Sequence, residues 1–289
     1  MKVVVTGGAG RAGSKVAAYL RSEGAEVLTT DIVALRSGDP GSQLGSHLIA
    51  DLGNLGETVE VIKDADAVVH FGAVWAQGVR TSTTTFDVNV RTTFNVFEAA
   101  AITGARRVLW ASTQSVTGSP WSPQNLPEYL PIDEGHTSRP RMTYALSKHV
   151  GEEIAPYFAG MCGLEIVGLR LAWVIHEDGW GVIPEWQEDP LSRRFNAFVY
   201  VDIRDVEVAC AAALNAAITG ARVLTIGAAD TCMDVPSQEL AEMAFPDVPQ
   251  RRPLEGHETL VSIEAAGAAI GYRPRFSWRD HISETSSGG

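Results

Sequence analysis

The sequence predicts a doubly wound α/β protein, with a parallel sheet and a small C-terminal substrate lobe. Short β-branched runs alternate with longer helical stretches, and the first run opens into a glycine-rich turn. After Arg170 this alternation gives way to a Trp-, Gly- and Pro-rich texture. At 289 residues the chain is long for one small fold and short for two independent ones, so one body with a modest appendage is expected.

Residues 2–6 are apolar and β-branched and read as the first strand. Residues 7–13 are glycine-rich, and 14–23 read as a helix closed by Gly24. Residues 26–30 form the next strand, which ends at Asp31 and completes a βαβ unit. The pattern then repeats: strand 67–71, helix 86–102 closed at Gly104, strand 107–111, helix 143–159 followed by Gly160, and strand 165–171. Residues 81–85 are a threonine-rich run that reads as a capping loop. Residues 173–190 lack clear periodicity. A strand at 198–201, a helix at 204–217 and a strand at 223–226 follow. The domain reading is a dinucleotide-binding body at 1–172, to which 199–228 returns, with 173–198 and 229–289 as the small lobe and 286–289 as a frayed tail.

Composition narrows the partners. Hydrophobic residues make up 45% and charged residues 20%, an ordinary globular balance. A net charge of -12 argues against general nucleic-acid or anionic-membrane binding, which needs a basic face. Cys162, Cys210 and Cys232 are spaced for neither a disulfide framework nor a zinc site. His136, His149 and His176 form no metal spacing, so no metal is expected. The opening apolar run is too short for a signal-peptide core, and no stretch is long enough for a membrane span, so a cytoplasmic protein is expected.

Gly7, Gly10 and Gly13 stand where a strand-to-helix dinucleotide turn of the Rossmann type needs them. Gly7 permits the turn, Gly10 lets backbone approach a pyrophosphate, and Gly13 lets the helix pack on the strand, with Arg11 and Ala12 between them. The helix that starts there aims free N–H groups at the phosphates. Asp31 follows Gly13 by eighteen residues, where a carboxylate accepts ribose hydroxyls and repels a 2′-phosphate, which favours NAD. Arg11 and Arg36 leave NADP open, since either could neutralise that phosphate.

Tyr144 and Lys148 are one helical turn apart, so they share a face, and Leu146 lies on the opposite side and can face the core. A tyrosine acting as acid–base group near neutrality needs a shift of roughly three units, about 4 kcal/mol. A nearby ammonium supplies much of it by favouring phenolate. Ser112, Thr113 and Ser115 follow a strand that ends where ligands bind in open α/β sheets. A hydroxyl there can bond the substrate oxygen that Tyr144 serves. His70 reads as a buried, satisfied histidine.

Together these motifs resemble the extended short-chain dehydrogenase/reductases of the NAD-dependent epimerase/dehydratase type, over nearly the whole chain. The resemblance also covers Asp51 and Leu52 at the adenine, Gly72 and Ala73 along the cofactor, Asn89 on the central helix, and Leu171 on the strand beside the nicotinamide. It implies NAD as cofactor, Thr113 as the catalytic hydroxyl with Ser112 or Ser115 supporting, and Tyr144 as base in oxidation or acid in reduction, while hydride moves to or from nicotinamide. Thr117 stands where the family has tyrosine. Residues 199–206 are similar to the family's return strand and helix, and 270–278 to its closing motif. The family's helix pairing implies a possible homodimer through 86–102 and 143–159.

Many family members act on sugars joined to nucleoside diphosphates and carry a long segment after the strand ending at Arg170. Here only 171–197 intervenes, a layout that resembles uronate and aldose dehydrogenases acting on free sugars or sugar acids. Arg193–Arg194 could hold a carboxylate as a fork, with Arg194 the binding candidate, or be a solvated pair balancing Glu185, Glu188 and Asp189, the commoner arrangement. Trp75, Trp173, Trp180 and Trp186 fall in expected loops. Trp75 and Trp173 are the candidates to stack on a substrate, and Gln114 and Ser115 to bond it. An epimerase that retains NAD is the alternative function. A non-catalytic NAD-sensing protein is the further one, disfavoured by the intact Tyr–Lys pair.

Overall fold

The computed structural model describes residues 1–35 and 46–281, so Arg36 and the tail at 286–289 lie outside the described residues. In chain order the elements are β1 (Lys2–Thr6), α1 (Arg11–Ser22), β2 (Glu26–Asp31), β3 (His47–Ile49), α2 (Leu55–Ile62), β4 (Ala67–His70), α3 (Ser82–Thr103), β5 (Arg107–Thr113), α4 (Thr143–Cys162) and β6 (Glu165–Leu171). There follow β7 (Trp173–Ile175), α5 (Ile183–Trp186), β8 (Tyr200–Asp202), α6 (Ile203–Asn215), β9 (Ala221–Ile226), α7 (Ser237–Ala244) and α8 (Glu264–Ile270). The chain divides into two compact units: Met1–Ser112, Met142–Leu169 and Ala209–Val223 form the first, and Thr113–Arg141, Arg170–Val208 and Leu224–Gly289 the second.

The main sheet has seven strands in the order β3-β2-β1-β4-β5-β6-β9. The pairings from β3 to β5 are parallel, with Val5 opposite Thr29 on one side and Val69 on the other. β6 and β9 run the same way, since Ile166 N–H donates to the Gly220 carbonyl and Ala172 N–H to that of Ile226. Chain order reverses between β1 and β4, so the turn after β1 opens at the switch point where doubly wound sheets take ligands. Every residue of β4 is buried, as a strand covered by helices on both faces must be. Beneath lies a core of Val68, Phe97, Val108, Trp110, Phe158 and Ile166, with Phe97 edge-on to both Trp110 and Phe158. Arg107, buried at the start of β5, donates to Glu165 and to the carbonyls of Ala213 and Leu214, which tie α4's following strand and the end of α6 to the sheet.

Several helix boundaries differ from the sequence reading, those of α3 and α4 for a local reason. α3 starts at Ser82, so the threonine run is helical: Thr81 is the cap, its hydroxyl accepting the Thr84 N–H at 3.3 Å. α4 runs through Pro156 and Gly160 and closes at Gly163, which takes the left-handed φ of 70°.

In the second unit, β7 and β8 form their own two-stranded parallel sheet, with Trp173 opposite Tyr200. The Tyr200 hydroxyl donates to Asp230 at 2.6 Å and accepts the Trp278 N–H at 3.0 Å. The closing segment is thereby fastened to β8, and the Trp278 ring N–H donates to the Thr231 carbonyl. Among the described residues no helix is long and apolar enough to cross a membrane.

Candidate active site

The glycine turn after β1 is built by close approach. Gly7 has a φ of 69°, and a Cβ there would lie 2.6 Å from the carbonyl carbon of Phe71. A Cβ on Gly13 would lie 2.2 Å from the Gly7 carbonyl oxygen, so α1 can seat on the turn only with glycine at that place. The Gly10 N–H donates back to Gly7, and α1 begins at Arg11 with no side-chain cap, which leaves the helix's first N–H groups for an anion. Arg11 is exposed at that end. Asp31 braces the same turn: its carboxylate accepts the N–H of Ala9 at 3.1 Å and that of Ile32 at 2.8 Å. A carboxylate has about four acceptor sites, so two such bonds leave capacity for ribose hydroxyls. These features fit a dinucleotide: a cradle only glycine can line, a bare helix start, and a fixed acidic group at the next strand end.

Tyr144 and Lys148, the expected acid–base pair, stand on α4. Tyr144 is its second residue, and its backbone N–H donates to Gln77 Oε1 at 3.1 Å. Lys148 is 2% exposed, with Nζ 5.9 Å from the ring centroids of both Tyr144 and Trp110. Burial lowers its ammonium to a pKa of about 8. Leu146 is 42% exposed and Lys148 buried, which reverses the facing read from the sequence. The core side of α4 is the 144–148–152 stripe, and the apolar Leu146 is the outward residue.

The family model described as the NAD dependent epimerase/dehydratase family matches residues 3–178. The chain belongs to that family. NAD, the cofactor in the family's description, is the one expected from Asp31. A uronate dehydrogenase of Pseudomonas syringae pv. tomato is 28% identical over 173 residues, 59% of this chain and 58% of that protein. A putative UDP-glucose 4-epimerase of Methanocaldococcus jannaschii is 29% identical over 180 residues, 61% of this chain and 56% of its own length. The match thus spans under three fifths of either relative. Among solved structures, a short-chain dehydrogenase/reductase superfamily protein of Agrobacterium tumefaciens with bound NAD is similar in fold. Its TM-score is 0.73 at 22% identity, with 99% of this chain and 96% of that one covered.

The remaining residues of this epimerase/dehydratase chain sort by what they touch. Asn89 is fully buried, and its amide binds the backbone of Val74 on both sides and the hydroxyl of Ser147, which itself donates to the Tyr144 carbonyl. It therefore fastens the loop after β4 to the start of α4. Leu52 is a core residue, its carbonyl held by Asn95, whereas Asp51 is exposed and accepts the Gly53 N–H. Gly72 donates to the Thr6 hydroxyl, and Ala73 follows it, half-buried. His70 is buried and satisfied: Nδ1 lies 2.7 Å from Thr6 Oγ1 and Nε2 3.4 Å from Thr93 Oγ1. Burial, then the Lys148 charge, lowers its pKa to about 3.

Thr113 ends β5 and caps the helical turn Gln114–Thr117, its hydroxyl oxygen accepting the Ser115 N–H at 3.3 Å. The Gln114 amide is buried with neither its oxygen nor its nitrogen bonded. Leu171 ends β6, half-buried. Trp75 lies in a loop and is 74% exposed.

Trp173 is not in a loop but opens β7, and with Trp186 and Phe195 it encloses Arg193. The two arginines are not a solvated pair. Arg194 donates to the Ala244 carbonyl and lies over Phe245, while Arg193 is 5% exposed with its guanidinium 4.0 Å from both tryptophan rings. Arg193 Nε and Nη2 are buried without a bond, and Cys232 is its polar neighbour. Sequence reasoning chose Arg194 because adjacent arginines cannot be told apart without knowing which one turns inward. It also missed Gln77, Ser147 and Glu152; the last two share the Tyr144–Lys148 face by helical spacing, a signal present in the sequence.

Proposed function

We propose that the chain is an NAD-dependent oxidoreductase acting on the hydroxyl or carbonyl carbon of a free sugar or sugar acid. The buried Lys148 beside Tyr144, in a chain that also carries the glycine turn after β1, is the observation that carries this reading. Bound NAD would supply the two-electron acceptor. Tyr144 takes the substrate's hydroxyl proton at its phenol oxygen, and Lys148, desolvated and cationic below pH 8, favours the phenolate that can accept it. Thr113 aligns the substrate oxygen, Ser115 supports it, and the unbonded amide of Gln114 awaits a substrate polar group. Gly7, Gly10, Arg11, Ala12, Gly13, Asp31, Asp51, Leu52, Gly72, Ala73, Asn89 and Leu171 make up the proposed cofactor side, together with Tyr144 and Lys148, whose ammonium would also donate to the nicotinamide ribose.

The free-sugar reading rests on the short 171–197 segment and on the uronate dehydrogenase relative. Trp75 and Trp173 are proposed to cover the sugar face. Of the two arginines, Arg193 has the unbonded edge a carboxylate would take, whereas Arg194 is engaged with Ala244. The UDP-glucose 4-epimerase relative keeps a second reading in view, in which NAD is retained and no net NADH forms. A second copy covering exposed Phe94, Tyr157 and Met161 on α3 and α4 is the proposed homodimer, to be read by sedimentation.

The test is a screen for NADH formation over neutral sugars, sugar acids and UDP-sugars, with NAD and NADP, on the wild type and Tyr144→Phe. We expect turnover on free sugars or sugar acids with NAD, abolished in Tyr144→Phe while NAD binding persists. Turnover on UDP-sugars alone would overturn the substrate reading, and activity surviving Tyr144→Phe would overturn the catalytic one.

A further inference from the structure

Glu152 is a buried carboxylate that the acid–base chemistry does not use. It sits one turn beyond Lys148 on α4, and residues 144, 148 and 152 form a single helical stripe. The Ser112 hydroxyl donates to Glu152 Oε1 at 2.6 Å, in a buried setting. Ser112 shares one face of β5 with Trp110, since residues two apart in a strand point the same way. The stripe and the strand face meet at three successive places. Lys148 Nζ lies over the Trp110 ring, Gly151 packs so tightly that a Cβ would fall 2.6 Å from that ring, and Glu152 takes the Ser112 hydrogen.

We infer that the Ser112–Glu152 hydrogen bond is a positioning element that sets the seat of α4 on β5 and with it the approach of the Lys148 ammonium to the Tyr144 ring. The inference rests on the reading of Tyr144 and Lys148 as the acid–base pair. Packing alone would not call for this residue, because the next inward positions of α4, Ala155 and Phe158, hold the same seat with apolar side chains. Burying a carboxylate is costly, and what a short charge-assisted O–H···O⁻ bond adds is direction. The lysine needs that direction, because its four-carbon stem is flexible. The rings of Tyr144 on α4 and Trp110 on β5 lie against its ammonium, and neutral His70 on β4 is near enough to feel its charge.

The experiment reads the ionisation of Tyr144 without a substrate, as the phenolate absorbance difference between each protein and the same protein carrying Tyr144→Phe. The variants are Ser112→Ala, Glu152→Leu and Glu152→Gln, the last keeping an acceptor oxygen at the same reach. Ser112→Ala and Glu152→Leu are expected to raise the Tyr144 midpoint by about half a unit or more, and Glu152→Gln to restore it to near wild type. A role in packing only would lower the melting midpoints and leave the phenol where it was, which overturns the inference. Should Glu152→Leu fail to fold, Ser112→Ala decides alone, since it removes the donor and leaves the helix untouched. A wild-type Tyr144 that titrates like a free tyrosine would instead sink the acid–base reading, a failure seen before any change at 112 or 152.

Discussion

Gly13 meets Gly7 so closely that a methyl group on the former would fall 2.2 Å from the carbonyl oxygen of the latter. That oxygen also accepts the Gly10 N–H at 2.9 Å, so it cannot move away without opening the turn. Gly13→Ala is therefore expected to weaken NAD binding by roughly a hundredfold, about 2.7 kcal/mol, with a lowered melting midpoint. Titration of the variant with NAD, followed by tryptophan fluorescence, checks this; wild-type affinity would show that the turn is not the phosphate cradle.

Lys148 is costly to the fold it serves. Burial lowers its pKa to about 8 from an ordinary 10.5, so the folded state holds the proton less well than the unfolded chain. The sign follows: between pH 8 and 10.5 the unfolded chain binds more protons, and stability rises as pH climbs through that window. Below it the buried charge is a standing penalty. Lys148→Met, close in length and uncharged, is expected to lose turnover while gaining roughly 1–3 kcal/mol at pH 7, read by urea unfolding.

His70 gives the opposite end of the pH scale. Its pKa is lowered to about 3, so its contribution is intact above the ordinary value of 6.5 and is lost as pH falls toward 3. Wild-type stability should drop between pH 6.5 and 4.5 with a slope approaching one proton, about 1.4 kcal/mol per pH unit, on top of the background shared by all variants. His70→Gln, which retains an acceptor and a donor for Thr6 and Thr93, should show the shallower slope. Equal slopes in paired unfolding series would remove His70 from the acid sensitivity.

The legible parts of the chain were those governed by local rules. β1, the turn at Gly7–Gly13 and Asp31 are adjacent in sequence and in space, so spacing alone carried them. Tyr144 and Lys148 were legible because four residues are one turn, but the facing of Leu146 was not, since the sequence does not say which side of α4 meets the sheet. The short elements β3, α2, β7, α5, α7 and α8 have no counterpart in the sequence reading: three to eight residues carry little periodicity, and tertiary packing decides them. The Ser112–Glu152 bond joins positions forty residues apart and has no local signature.

Arg193 yields the prediction that separates substrate classes. Trp173 and Trp186 each lie 4.0 Å from its guanidinium, and its Nε–Nη2 edge is buried and unbonded. Among the described residues it has no carboxylate partner, and burial lowers its pKa, as a cation without a counter-charge requires. A carboxylate would meet that edge with two parallel bonds, which lysine, a point donor, cannot reproduce. Arg193→Lys is thus expected to raise KM for a sugar acid such as D-galacturonate by roughly tenfold to a hundredfold, about 1.4–2.7 kcal/mol, with kcat less affected. The KM for neutral D-galactose should stay near its wild-type value, because no bond to that edge is lost. Arg193→Leu should do the same to the acid while raising the unfolding midpoint, since it removes a buried cation that has no carboxylate partner among the described residues. Steady-state NADH formation on both sugars decides it: equal losses on acid and neutral sugar would assign Arg193 to the integrity of the aromatic box and withdraw it from substrate recognition.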